Sequence, residues 1–169
     1  MKPIQSLKMR AIGLLSQREH SRVELRRKLQ RIQRNSLAKV DTSADVDADT
    51  IAEGDAEASV ELDPLLDWLQ AQGYLSDARF VESRVHVRAP RFGSLRIKQE
   101  LAQHGLSLSA EAMSELKAQE FGRAKAIWMR KFGGQLPGDA AAKAKQMRFL
   151  TMRGFAADTI RRLLRCVDE

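Results

Sequence analysis

Residues 91–107, RFGSLRIKQELAQHGLS, contain the pattern that decides the fold. Leu101, Gly105 and Leu106 have the spacing of a Schellman motif, in which a left-handed glycine ends a helix and the next apolar residue folds back onto the last turn. The same spacing is found twice more, in Leu69, Gly73 and Tyr74 and in Leu150, Gly154 and Phe155. Each occurrence predicts a helix end followed by a sharp reversal of the chain.

These helix ends belong to a repeat. Leu101 and Leu150 are 49 residues apart, and Leu29 precedes Leu101 by 72 residues, or by 47 without the 25-residue segment 36–60. Three units of similar length result, each with about three helices, and units this small must stack on neighbours to bury their apolar faces. The sequence therefore predicts an elongated array of three repeats.

The composition favours helix throughout. Of 169 residues, 43% are hydrophobic and only 5% aromatic, and helix-forming residues such as Leu, Ala, Arg and Glu dominate. Trp68 and Trp128 lie among apolar residues at helical spacing, which favours core packing over base stacking. Ser21 and Glu24 form a capping box that predicts the start of the second helix. We expect an all-α protein.

The repeat spacing also divides the chain into domains. We expect a first three-helix repeat at 1–74, interrupted by a flexible insertion at 36–60, a second repeat at 75–118 and a third at 119–169. The insertion is rich in Asp, Ala, Ser and Thr without sustained periodicity, a composition typical of a solvated linker.

The charges are unevenly distributed. The net charge is +7, but residues 41–60 contain seven carboxylates and no Lys or Arg, so the rest of the chain carries +14. A body this basic favours a polyanionic partner, because Lys and Arg that neutralise phosphates release condensed counterions. Nucleic acid is the leading class of partner.

The sequence lacks the usual marks of an enzyme. It has no Walker A loop, no dinucleotide fingerprint, no nucleophile elbow and no paired metal-ligand spacing, so we expect no catalytic residue, cofactor or metal. The scattered His20, His86 and His104 favour surface or helix-end roles. The single Cys166, read as a buried small residue, excludes an internal disulfide, and no apolar run approaches the ~20 residues of a membrane span. These features predict a cytoplasmic protein without a membrane anchor.

Lys and Arg concentrate in two segments. Residues 83–99 contain five bases and no acid, and residues 121–157 contain eight bases against Asp139 alone. Ordinary surfaces mix both signs of charge, so this excess favours a binding surface. The predicted contacts are Arg84, Arg88, Arg91, Arg96, Lys98, Lys125, Arg130, Lys131, Lys143, Lys145 and Arg148.

Four stretches, in this order, carry a family resemblance: REHSRVELRRKL, LLDWLQAQGYLSDARF, RFGSLRIKQELAQHGL and KQMRFLTMRGFAADTIRRLL. With their flanks they cover almost the whole chain outside 36–60, and they resemble the RecX regulatory proteins. The resemblance implies three tandem three-helix repeats in a curved array. It also implies a non-enzymatic modulator, mainly an inhibitor, of the RecA recombinase in DNA repair and the SOS response. Such proteins bind the RecA filament on single-stranded DNA and limit its ATPase, strand exchange and coprotease activities.

The family pattern also covers particular residues of the second repeat. The residues covered are Asp77, Arg79, Phe80, Gly93, Arg96, Ile97, Glu100, Leu101 and Gly105. We interpret Phe80, Ile97, Leu101 and Gly105 as structural, and Asp77 and Arg79 as capping or pairing residues. Ile97 and Leu101 define the buried side of their helix, whereas Arg96, Gln99 and Gln103 point away from it. Arg96 is therefore the leading functional residue of this pattern.

Other functions stay open from sequence. The tight QREH turn at 17–20 is compatible with a sequence-specific helix-turn-helix regulator, although no dimerisation element is evident and we expect a monomer. A nuclease is a more distant alternative. Direct binding to DNA is a further possibility beside binding to RecA. The acidic insertion is either an electrostatic gate that competes for the basic surface or, as we favour, a solvated spacer.

Overall fold

A computed structural model of the chain describes residues 6–37 and 62–165. Regular structure in these residues is entirely helical, which confirms the all-α prediction. The helices are α1 Leu7–Leu15, α2 Arg22–Leu37, α3 at 62–71, α4 Asp77–Arg88, α5 Ser94–Ala102, α6 Ala110–Ala118, α7 Glu120–Phe132, α8 Ala140–Met152 and α9 Ala157–Arg165. No helix in the described part of the chain is long and apolar enough to cross a bilayer.

Contacts divide the chain into two compact units, Met1–Phe80 and Val81–Glu169. The predicted repeat boundaries at 74/75 and 118/119 stay predictions. Helix α2 continues two residues into the segment predicted as the insertion. The remainder of that segment lies outside the described residues, as does Cys166.

In the first unit, a core of leucines joins α2 to α3. Leu25 and Leu29 lie one turn apart on α2, and Leu62, Leu66 and Leu69 line one side of α3. All five are fully buried. Burial of one leucine side chain contributes about 2 kcal/mol, so this cluster is the main source of cohesion in the unit.

Side chains near α4 also connect parts of the first unit. The Asp77 carboxylate accepts a hydrogen bond from the Arg22 N–H at 2.8 Å, which caps the start of α2. Arg79 pairs with Glu19 at 2.8 Å and donates to the Gly73 carbonyl at 2.9 Å. These contacts confirm the capping and pairing roles implied for Asp77 and Arg79.

The turn before α2 differs in part from its prediction. The Glu24 N–H donates to Ser21 Oγ at 3.1 Å, which confirms the predicted helix start. The Glu24 carboxylate contacts Arg18 and lies 3.2 Å from His20 Nδ1. His20 is only 1% exposed, so a surface role is wrong for it, although its place at a helix start was expected.

The ion pairs of this turn have consequences for protonation. Burial opposes ionisation of Glu24, but hydrogen bonds from Arg18 and the nearby His20 ring outweigh it and lower the pKa of Glu24 to about 2. Burial lowers the pKa of His20, and the Glu24 carboxylate 3.2 Å away opposes that effect. Stability in acid should therefore depend on this turn.

In the second unit, the largest core lies among α7, α8 and α9. Trp128, 1% exposed, packs there with Leu150 and Ile160, which confirms its predicted core role. Its indole N–H donates to Gln146 Oε1 at 2.7 Å, and the Gln146 amide donates to the Gln135 carbonyl at 3.1 Å. The buried polar atoms of this core are thus paired, as burial requires.

The predicted Schellman motifs end α5 and α8. Gly105 and Gly154 have φ angles of 70° and 77°, in the left-handed region. The N–H of Leu106, after Gly105, donates to the Leu101 carbonyl at 3.0 Å, and the N–H of Phe155, after Gly154, donates to the Leu150 carbonyl at 3.2 Å. These bonds confirm both motifs. Ile97, Leu101 and Phe80 are buried, as their structural roles require.

The third motif, at Gly73, differs in one residue. Gly73 has a φ of 74°, but the N–H that bonds the Leu69 carbonyl belongs to Leu75, at 3.1 Å. Leu75 is buried, whereas Tyr74 is 48% exposed and stacks on Trp68 with ring centroids 5.9 Å apart. The predicted pattern is therefore wrong by one residue: Leu75, not Tyr74, bonds the Leu69 carbonyl and is buried, whereas Tyr74 packs on Trp68 in the last turn of α3.

Candidate functional site

Three arginines surround Phe92, a half-buried residue in the loop between α4 and α5. Arg88 comes from the end of α4, Arg96 from α5, and Arg153 follows α8. Their guanidinium carbons lie 5.4, 5.0 and 5.7 Å from the ring centroid. A guanidinium that stacks on an aromatic face keeps its N–H groups available for anions. We call these four residues the arginine cluster.

Backbone contacts between two glycines hold the arginine cluster together. The Gly93 N–H donates to the Arg153 carbonyl at 2.9 Å, and the Leu95 N–H donates to the Gly154 carbonyl at 3.2 Å. A Cβ at Gly93 would overlap the Gly154 carbonyl, and one at Gly154 would lie 2.5 Å from Arg96 Cβ. Glycine is required on both sides because only its backbone can come this close.

Two of the guanidiniums also connect the segments that contain Gly93 and Gly154. Arg96 donates to the Met152 carbonyl at 3.2 Å, and Arg153 donates to the Arg91 carbonyl at 3.1 Å. Both bonds are exposed to solvent. The arginines are therefore fixed in direction and still accessible to a ligand.

A buried carboxylate supports the start of α5 from inside the unit. Glu120 is 3% exposed and accepts from the Ser94 N–H at 2.7 Å and the Ser94 hydroxyl at 2.8 Å. It also accepts from the Thr159 hydroxyl at 3.2 Å. A negative charge at a helix N-terminus is favourable, so Glu120 helps fix the helix that carries Arg96.

Helices α4 and α5 enclose a polar recess of about 430 Å³. We call it the basic recess, and its lining residues are Arg84, Arg88, Arg96, Gln99, Glu100, Gln103 and His104. Arg88 Nε lies 2.9 Å from one oxygen of Glu100, and Arg96 Nε lies 3.7 Å from the other. The recess thus combines three guanidiniums with one carboxylate.

A second, smaller concavity lies on the same unit. This basic cleft of about 130 Å³ is lined by Arg91, Arg130, Lys131 and Arg153 together with Pro90, Ile127 and Phe149. Arg153 also stacks on Phe149, 5.0 Å from its centroid. Since Arg153 belongs to both the cleft and the arginine cluster, the two are continuous.

Within the described ranges, 6–37 and 62–165, no group of three His, Cys, Asp or Glu side chains could hold a metal ion.

Comparison with known proteins gives the family. A regulatory protein RecX from Ralstonia nicotianae is 44% identical over 165 residues, which cover 96% of this chain and 89% of that protein. The chain belongs to the RecX family. A RecX regulatory protein from Leptothrix cholodnii is 41% identical and covers 99% of this chain and 93% of its own. One from Pseudomonas putida is 37% identical over 163 residues.

The matches to RecX extend to single domains and to a solved fold. The second three-helix domain of RecX matches residues 76–109, and the third matches residues 118–164. The crystal structure of RecX from Lactobacillus salivarius superposes with a TM-score of 0.60, covering 96% of this chain and 94% of that one, at 16% identity. The array of three-helix domains is therefore the RecX fold.

In this RecX-family chain the predicted contact residues fall into three groups, all in the second unit. The first group lines the basic recess: Arg84, Arg88 and Arg96. The second lines the basic cleft: Arg91, Arg130 and Lys131. The third is exposed but lines neither: Lys98, Lys125, Lys143, Lys145 and Arg148. The structure brings the first two groups together around Phe92 and Arg153.

Sequence reasoning gave no functional role to three residues of this surface: Phe92, Arg153 and Glu100, the last of which the family pattern covers. Phe92 immediately precedes Gly93, and Arg153 immediately precedes Gly154, and these two glycines are in close contact. The position of each residue directly before a glycine is the sequence feature that could have indicated them. Glu100 lies one residue beyond the acid-free segment 83–99, and one more turn of α5 brings it between two of the arginines. A charge count along the chain does not detect such a neighbour.

Proposed function

We propose that this protein is a non-enzymatic regulator, mainly an inhibitor, of RecA. It binds the RecA filament on single-stranded DNA and limits its ATPase, strand exchange and coprotease activities, in DNA repair and the SOS response. Support comes from the family, whose members compared above are called regulatory proteins. Support also comes from the basic body of the chain, which suits a filament that carries nucleic acid.

The observation that carries the proposal is the arginine cluster. Three guanidiniums lie against one aromatic ring. Those of Arg96 and Arg153 also donate to backbone carbonyls at 3.2 and 3.1 Å, through bonds that are exposed to solvent. Fixed, accessible guanidiniums suit phosphates or carboxylates, because the planar donor pairs match such oxygens. This arrangement fits a partner that is a large polyanion better than it fits a small substrate.

The contact surface is the set of residues predicted from sequence, with Arg153 and Phe92 added. Within that set, the residues of the basic recess and the basic cleft make the central contacts, and the four lysines and Arg148 that line neither strengthen long-range attraction. The protein acts as a monomer in the cytoplasm, has no cofactor, and contacts DNA directly as well as RecA.

RecA's ATPase dependent on single-stranded DNA tests the function directly. Addition of this protein at low ratios to RecA should lower the ATPase rate. No effect at equimolar RecA would refute the proposal. A preferred duplex sequence found in a binding selection would favour the helix-turn-helix alternative.

Charge reversal tests the surface. Changing Arg91, Arg96 and Lys98 together to Glu should weaken filament binding and flatten its salt dependence, because fewer counterions are released. A second triple reversal, of the exposed Lys98, Lys125 and Lys131, avoids the packed Arg96 and should act in the same direction.

The matched control places the same charge change on α2. Arg27, Arg31 and Arg34 are exposed on that helix and lie in the first unit. Their reversal should weaken binding much less, and thermal melts of all three variants establish that the fold persists. Equal loss from the control and from the second-unit variants would mean that only net charge matters, and the surface would be wrongly placed.

A further inference from the structure

Glu100 is the one carboxylate among the residues that line the basic recess. Its side chain is 19% exposed and faces Arg88 on α4 and Arg96 on its own helix. Gln99 and Gln103 lie exposed at the rim. The other lining residues are basic or neutral and polar, so the Glu100 carboxylate occupies the place that a bound anion would take.

The bonding of this carboxylate is incomplete. The 2.9 Å contact to Arg88 lacks hydrogen-bond geometry, and Arg88 Nε and the Glu100 oxygen that faces it have no hydrogen-bond partner although both are buried. The second contact, to Arg96, is 3.7 Å long. Buried charged groups gain much more from directional bonds than from mere proximity, so a better-shaped anion should replace this one.

We propose that the basic recess binds one backbone phosphate of single-stranded nucleic acid, and that Glu100 is an internal stand-in for that phosphate. The phosphodiester carries the same single charge as the carboxylate and presents oxygens that two guanidiniums can share. On binding, the Glu100 carboxylate leaves the arginines and turns towards solvent. The amides of Gln99 and Gln103 then face the sugar or base next to the phosphate.

This inference rests on the proposed function for its biological setting. It predicts a change in DNA affinity opposite to the change expected if Glu100 only holds the arginines in position. If Glu100 is a stand-in, its charge opposes ligand binding, and Glu100→Gln should bind more tightly than the natural protein. If Glu100 instead holds the arginines in position, the same substitution should weaken binding. Glutamine keeps the size of the side chain, so packing changes little.

The probe is a fluorescein-labelled oligo(dT), and the measurement is anisotropy across a KCl series without RecA. We expect Glu100→Gln to bind about fivefold more tightly at low salt, an effect typical of one partly exposed charge. The slope of log K against log salt should steepen by about 0.7, as for one more phosphate neutralised on a single strand. Equal or weaker binding would overturn the proposal.

The control is Glu115→Gln, which removes one exposed carboxylate from α6 in the same unit, outside the recess. It should leave binding unchanged, and an equal gain in both variants would overturn the proposal because net charge alone would explain it. Tighter binding of Glu100→Gln to DNA-free RecA, with unchanged oligo(dT) binding, would also overturn it in favour of an acidic protein ligand.

The RecA assay separates this inference from the proposed function. A gain in oligo(dT) binding for Glu100→Gln, without any effect of the natural protein on RecA's ATPase, would retain the phosphate site and refute the RecA role. If the natural protein inhibits RecA but Glu100→Gln binds oligo(dT) with unaltered affinity, the RecA role would be retained and the phosphate site refuted.

Discussion

Replacement of Gly93, Gly105 and Gly154 by alanine, one at a time, should separate two energetic costs. These are the cost of left-handed backbone and the cost of a steric overlap, and both apply at Gly154. Gly105 and Gly154 both have left-handed backbone, with φ of 70° and 77°. Around Gly105 a new Cβ would meet nothing within 4 Å, whereas around Gly154 it would lie 2.5 Å from Arg96 Cβ and 2.6 Å from the Arg96 nitrogen. Gly93 has an ordinary φ of −77°, and its Cβ would overlap the Gly154 carbonyl.

The magnitudes follow from these surroundings. Left-handed backbone costs an L-residue about 1–2 kcal/mol, so Gly105→Ala should lower the free energy of unfolding by that amount. Forcing atoms into a packed contact costs about 1–3 kcal/mol more, so Gly154→Ala should lose about 2–5 kcal/mol. Gly93→Ala should show the packing cost alone. For a chain of this size each kcal/mol lowers the melting temperature by about 2–4 °C.

Thermal melts followed by far-UV circular dichroism measure the three values. Gly154→Ala should melt well below Gly105→Ala, and its oligo(dT) affinity should fall even at temperatures where it is folded, because the shift displaces Arg96. Gly105→Ala should bind normally. Equal melting temperatures for these two variants, or a Gly93→Ala variant as stable as the natural protein, would refute the close approach of the two segments.

Three further predictions concern stability in acid and the acidic segment. The folded state binds the Glu24 proton more weakly than the unfolded chain, so the stability that Glu24 contributes is complete above about pH 4.5 and is lost as pH falls towards 2. Urea titrations should show the deficit of Glu24→Gln at neutral pH shrinking over that range, and a constant deficit would contradict it. His20, with a lowered pKa, adds a separate loss of stability below about pH 6.5, which His20→Gln should remove. Replacing residues 41–60 with a neutral Gly/Ser linker should leave filament affinity unchanged across a salt series, whereas tighter binding at low salt would indicate a gate.

The sequence predicts many of the residues in the candidate site, but it does not predict how they are arranged. The excess of Lys and Arg in two segments places the predicted contact residues in the second unit, where their binding role stays a prediction. The pattern of Ile97 and Leu101 correctly turns Arg96 outward. Linear spacing does not reveal that Arg153 shares one aromatic ring with Arg88. It also does not reveal a carboxylate between the bases.

The sequence by itself determined the helical class, the glycine-capped ends of α5 and α8, and the family resemblance. Helix periodicity, capping residues and the glycine after each leucine act within a few residues, so they are legible in a linear string. The tertiary structure alone decided which glycine also serves as a contact, because Gly105 and Gly154 carry the same local motif and only the second meets another segment. The burial of His20 and the choice of Leu75 over Tyr74 were decided in the same way. Such outcomes depend on which distant atoms fill the space, and packing between residues far apart in sequence leaves no local signal.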